Sequence, residues 1–140
     1  MSTGALLVAS GQAHLPVSDD SLAITATNIW AGGTAYAAIL LSSHEGSAQP
    51  FGDGLLCGTG AAQVLYTWTV PVQTVGVVTL TAPGGSQPNV GFAQRMVDLG
   101  TPLSHGDTRI YTVRYRDYAS FACSGVGNYT NGLRVLWTQP

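Results

Sequence analysis

Apolar and polar positions alternate with period two along much of this chain, the mark of strands that bury one face and expose the other. The alternation predicts strands over residues 5–9, 22–28, 34–41, 63–70, 74–81, 90–98, 108–116 and 133–138. In the second of these, Leu22, Ile24 and Ala26 share one face while Ala23, Thr25 and Thr27 share the other. In the seventh, Tyr111, Val113 and Tyr115 form the apolar face, and Ile110, Thr112, Arg114 and Arg116 form a face expected to meet solvent or ionic partners. The eighth sets Leu133, Val135 and Trp137 on one side, with Trp137 expected inside.

Turn-forming residues cluster at 16–21, 32–33, 42–54, 83–89, 100–107 and 124–127, a spacing too close for long helices. No useful length carries the 3.6-residue period of a helix. Eight strands without a helix predict one all-β domain over 1–140. The expected form is a two-sheet antiparallel β-sandwich of immunoglobulin-like or jelly-roll topology. Its expected core gathers Phe51, Leu55, Tyr111, Val113, Tyr115, Leu133, Val135 and Trp137, with Gly52 and Gly54 shaping the intervening GDG turn.

Composition narrows the partners. Charged residues make up 9% of the 140 residues, against about 25% in an average soluble domain, so uncharged polar groups must cover much of the surface. All five positive side chains are arginines, scattered along a chain of net charge -2. That leaves no basic stripe for phosphates and excludes nucleic acid as a partner. The longest apolar run, residues 35–41, falls well short of the roughly 18–20 residues a membrane helix needs, so no membrane insertion is expected. The first residues lack the basic flank of a signal peptide, and the targeting segment of a secreted protein is expected to lie outside this chain.

The two cysteines, Cys57 and Cys123, each lie in a turn-rich stretch. An even pair in a chain so poor in charge predicts a disulfide and an oxidising, secreted or cell-surface setting. Closing so long a loop is worth about 4 kcal/mol in chain-entropy terms. Two buried free thiols are the alternative, and a zinc site lacks the ligands it would need.

Candidate chemistry is thin. Ser43-His44-Glu45 and Ser104-His105-Gly106-Asp107 hold the residue types of a nucleophilic triad, but such close spacing denies them triad geometry; His14 has no such neighbours. Neither a nucleophile elbow, a zinc-protease helix nor a phosphate loop is present, so no catalytic residue is assigned and the chain is not expected to be an enzyme. Most carboxylates sit in turns, where aspartate serves its own backbone. No cofactor is expected, with calcium on Asp19, Asp20 and Asp53 as the one alternative. Tyr66 and Trp68 share a strand face, and with Tyr118 and Tyr129 they are the candidates for stacking on a ligand; packing between the sheets is the competing use of such rings. Asn128-Tyr129-Thr130 fits the glycosylation acceptor pattern and predicts a surface loop.

Taken in order, STG near the start, PFGDGLLC at 50–57, HGDTRIYTVRYRD at 105–117, FACS at 121–124 and NYTNGLRVLW at 128–137 span nearly the whole chain. In combination they resemble an uncharacterised family of β-rich domains found in secreted or cell-surface bacterial proteins, often at the C-terminal end of larger chains. The resemblance implies extracellular display and a Cys57–Cys123 pair, and carries no activity. The expected function is therefore a non-catalytic structural or adhesion module acting through display or self-assembly, its partner being itself in a homo-oligomer or filament. Strand edges without lysine are suited to such pairing. The alternative is a carbohydrate-binding module that holds an extracellular polysaccharide on surface aromatics.

Overall fold

Leu6–Ser10 (β1), Ala23–Gly32 (β2) and Val75–Ala82 (β5) pair into a three-stranded antiparallel sheet in the order β1-β2-β5. A second antiparallel sheet is built on Tyr36–Phe51 (β3), Gly54–Val70 (β4) and Thr108–Arg116 (β6), in the order β4-β3-β6. Gly127–Tyr129 (β7) and Leu133–Leu136 (β8) each pair with one half of β6 and complete five strands. The structure is a computed structural model that describes residues 5–32, 36–51, 54–71, 73–116 and 127–140. For 32, 36, 45–51, 54–61, 116, 127 and 128 it describes the backbone alone.

The inward residues of both sheets form one buried cluster. From the first sheet come Leu7, Ile24, Ala26, Ile29 and Ala31; the second contributes Leu40, Tyr66, Trp68, Tyr111, Val113 and Trp137. Trp137 is fully buried, and its indole Nε1–H donates to the Tyr111 hydroxyl at 3.1 Å. Tyr115 and Val135 join the same core and Leu133 packs against it, as their alternation predicts. The other residues expected there, Phe51 and Leu55, lie in β3 and β4 with side chains outside the described set; Gly54 opens β4, and Gly52 lies outside the described residues. No helix among the described residues is long and apolar enough to cross a membrane.

Four sequence expectations are corrected by the fold. Residues 90–98 are not a strand: Phe92–Asp98 forms a two-turn helix, α1. Phe92, Ala93 and Met96 point inward from it, a helical stripe too brief to read against the surrounding alternation. Tertiary contacts hold this short helix in place. Asp20 accepts the Ala93 N–H at 2.8 Å in its first turn, and Arg95 Nε donates to the Leu65 carbonyl at 2.8 Å.

Residues 42–51 are not turn. They continue β3, which pairs with a β4 that begins at Gly54, and the register of the pair shifts between Leu40 and Leu41, Ser42 and His44, and Glu45 and Gln49. Extra residues at these shifts absorb small, turn-forming side chains inside strands. Cys57 accordingly belongs to β4 rather than to a loop.

The face of β6 expected to meet solvent is covered in part. Ile110 and Thr112 are buried, and only Arg114 of that face is exposed among the side chains described. β6 is a central strand, paired with β3 on one edge and with β7 and β8 on the other. Residues 128–130 are not a surface loop throughout. Asn128 and Tyr129 pair with β6, and the buried Thr130 hydroxyl accepts the Val113 N–H at 3.0 Å while donating to the Asn131 carbonyl at 3.1 Å.

Candidate functional site

The three strands of the smaller sheet, LLVAS, AITATNIWAG and VGVVTLTA, contain no ionisable side chain. Their inner residues enter the core. Their outer residues make a face on which Leu6, Val8, Trp30, Val75 and Val77 are all exposed, among threonines 25, 27, 79 and 81. Val75 at 72% and Val77 at 63% are the most exposed large apolar residues described. Cross-strand register sets Leu6 beside Thr27, Val8 beside Thr25, and Trp30 beside Val77. The Thr25 and Thr81 hydroxyls meet at 3.1 Å across β2 and β5. A surface of this kind excludes ionic recognition and suits apolar contact or stacking.

Trp30 reaches this face because β2 is irregular. Unbroken alternation from Leu22, Ile24 and Ala26 would carry positions 28 and 30 inward. Instead the pairing with β5 shifts between Ala26 and Ile29, and Asn28 adopts a left-handed φ of 58°. The extra residue turns Ile29 and Ala31 into the core and leaves Trp30 39% exposed. The asparagine in TNIW is a signal for that bulge, since asparagine tolerates the left-handed region better than most residues.

The aromatic candidates read from sequence part company here. Tyr66 and Trp68 lie in the core, where the Tyr66 hydroxyl donates to the Val90 carbonyl at 2.7 Å and the Trp68 indole to the Thr81 carbonyl at 3.0 Å. They form no surface platform. Phe92 stands edge-on between Tyr66, at 4.9 Å, and Tyr111, at 5.4 Å. Burial, reinforced by the charge of Asp20, pushes the Tyr66 phenol well above its ordinary range; burial does the same to Tyr111. Tyr129 is half-buried in β7, and Tyr118 lies outside the described residues.

The polar candidates are occupied with structure. Asp107 Oδ2 accepts the Ser104 N–H at 2.8 Å, and the Asp107 N–H returns to the Ser104 carbonyl at 3.0 Å, closing the turn on itself. His105 Nδ1 accepts the Gln139 N–H at 3.2 Å. It borders an open hollow of about 420 Å³, lined also by Leu15, Val17, Val97 and Leu103. His44 pairs through its backbone with Thr59, and His14 with Thr138. Both Asp20 carboxylate oxygens are engaged by backbone N–H groups, Oδ1 by Leu22 at 3.0 Å and Oδ2 by Ala93 at 2.8 Å, which fits a capping role better than a calcium ligand. Asp19 is exposed beside Ser18, and Asp53 lies outside the described residues. Among the described residues no cluster of three metal-ligating side chains occurs, and no disulfide is present; the Cys57 side chain and all of Cys123 fall outside them.

No protein-family model, no curated protein and no solved structure matches this chain.

Proposed function

We propose that this chain is a non-catalytic, extracellular module that works by association, with the outer face of the three-stranded sheet as its contact surface. One observation carries the reading: a whole sheet without an ionisable group presents Leu6, Val8, Trp30, Val75 and Val77 to solvent. An exposed apolar face costs solubility unless it is used, and such faces mark contact sites. The engagement of Asp20, Asp107 and His105 by backbone N–H groups supports a structural use of these residues. The extracellular setting and the Cys57–Cys123 bridge belong to the same proposal, resting on composition and on the resemblance to displayed bacterial domains.

Carbohydrate binding is the second reading, favoured by Trp30 standing among threonine hydroxyls on that uncharged face. Light scattering over a concentration series, with a glycan screen followed by tryptophan fluorescence, separates the two. A mass above the 14.5 kDa chain supports self-association. A monomer whose fluorescence responds to one glycan class, and loses the response in Trp30→Ala, supports sugar binding. Hydrolysis of a defined substrate that His44→Ala or His105→Ala abolishes would overturn both.

A further inference from the structure

We infer that two copies of this chain join through the edge of β5 that faces away from β2, pairing antiparallel about a twofold axis so that two three-stranded sheets become one of six strands. The inference deepens the association reading and rests on it.

The three-stranded sheet has two ends, and they differ. At β1 the edge is closed by a side chain: the Asn131 carboxamide accepts the Leu7 N–H through Oδ1 at 2.6 Å and donates through Nδ2 to the Leu7 carbonyl at 3.3 Å. The asparagine thus imitates the backbone of a further strand and occupies the groups a partner would need. At the other end, no strand among the described residues pairs with β5 on the side away from β2, and the side-chain bond found there, from the Trp68 indole to the Thr81 carbonyl, lies near the end of the strand and leaves Val77 and Thr79 to a partner.

In an antiparallel strand, alternate residues turn both backbone groups toward the neighbour and both away from it. The Thr81 carbonyl bonds Trp68 Nε1 in the opposite sheet, and the close Thr25–Thr81 hydroxyl contact marks that pair as the kind that exchanges no backbone bonds. Thr81 therefore faces the edge. Thr79 and Val77 share its parity and present their N–H and carbonyl groups there, carrying side chains on the apolar outer face.

Native edges are blunted by charge, proline or short length. β5 has eight residues, VGVVTLTA, with neither charge nor proline, and is rich in β-branched side chains. Its inward residues Val78 and Leu80 are only partly buried, so the core is incompletely covered along this edge.

A second copy is the occupant that these features fit. An eight-residue edge centred near Val78 is self-complementary under a twofold, with Val77 across from the second copy's Thr79 and the reverse. Both surfaces are uncharged, so the net charge of -2 on each chain is not concentrated at the contact. A stable interface takes about 800 Å² from each partner, more than an apolar patch of a few hundred Å² supplies. Edge pairing adds backbone bonds and brings the two outer faces into one continuous surface. Because the β1 edge is closed, the pairing ends at a dimer and does not propagate as a filament.

Sedimentation equilibrium and concentration-dependent amide exchange test this on the intact chain. The expected result is a dimer of the 14.5 kDa chain, with the Val77 and Thr79 amides exchanging more slowly as the dimer fills. Val77→Lys sets two ammonium groups diagonally across the axis, at the roughly 7–8 Å of such neighbours, and should raise the dissociation constant at least about tenfold. Val77→Thr should keep the dimer. Because the position is exposed, both variants should keep the wild-type circular dichroism, and the exchange measurement stands without either. A dimer that survives Val77→Lys, with Val77 and Thr79 exchange independent of concentration, overturns the β5 edge and leaves association intact. A monomer at every concentration overturns both the dimer and self-association.

Discussion

Asp20 ties together parts of the chain that sequence separation would keep apart. Its two carboxylate oxygens hold the N–H of Leu22, at the start of β2, and of Ala93, in the first turn of α1. Burial raises its pKa above the ordinary 3.8, and the backbone bonds oppose that shift without cancelling it. A carboxyl with a raised folded pKa binds its proton more tightly folded than unfolded. Its protonation therefore contributes stability fully below the unfolded value, and the contribution is lost as pH rises through the folded one. Asp20→Asn keeps one acceptor and sets an amide N–H₂ against the other donor, which should cost about 1–2 kcal/mol at neutral pH. The gap from wild type should widen as pH falls toward about 4, a trend that paired urea melts can follow. An equal gap at both pH values would contradict the raised pKa. Gly11 is a second such position: its φ of 78° and the nearby Ser21 carbonyl leave no room for a side chain.

Among the elements, β6, β8 and α1 meet in one cluster of buried aromatic rings. Trp137, just beyond β8, donates its indole proton to Tyr111 of β6, and Phe92 of α1 packs edge-on against the same tyrosine. Trp137→Ala should destabilise by about 3–5 kcal/mol, the range for a buried aromatic that leaves a cavity. Trp137→Phe should cost less, since it keeps most of the packing and loses the hydrogen bond to a hydroxyl that stays buried. Chemical denaturation of the two variants measures the difference. Equal losses would mean that the Trp137–Tyr111 bond carries most of the energy and the ring little. The two-turn α1 depends on this packing and on its Asp20 and Arg95 contacts, because so short a helix is marginal alone.

Across the whole molecule the two sheets have different characters. Arg109, Arg114 and Arg116 lie in β6 and Arg134 in β8, both in the five-stranded sheet, while the three-stranded sheet has no charge at all. Arg114 and Arg134 are exposed on one sheet, while the other presents an apolar face. Display outside the cell would expose the thiols to oxidation. On the proposed Cys57–Cys123 bridge, thiol titration of the denatured, unreduced protein should find almost no free thiol, and reduction should lower stability by about 4 kcal/mol. Recovery of two thiols per chain would remove both the bridge and the argument for an oxidising compartment.

Strand positions were legible wherever alternation ran unbroken. β6 occupies the 108–116 span that its pattern marks, and Tyr111, Val113, Tyr115, Val135 and Trp137 turn inward as their parity requires. Period two is a local property of the backbone, so it survives in the sequence. What escaped depends on breaks in that period or on distant partners. The bulge in β2 reverses the parity of everything after Ala26 and moves Trp30 from the core to the surface. The shifts in β3 and β4 turn a stretch that reads as loop into paired strand. α1 exists where it does because Asp20 and Leu65, both remote in sequence, receive its ends and side chains. The absence of charge from strands 1, 2 and 5 is written in the sequence, but their meeting in one sheet is a product of pairing over long separations. A local pattern can tell which residues share a face of a strand; only the packed chain decides which strands share a sheet, and so where an apolar face comes to lie.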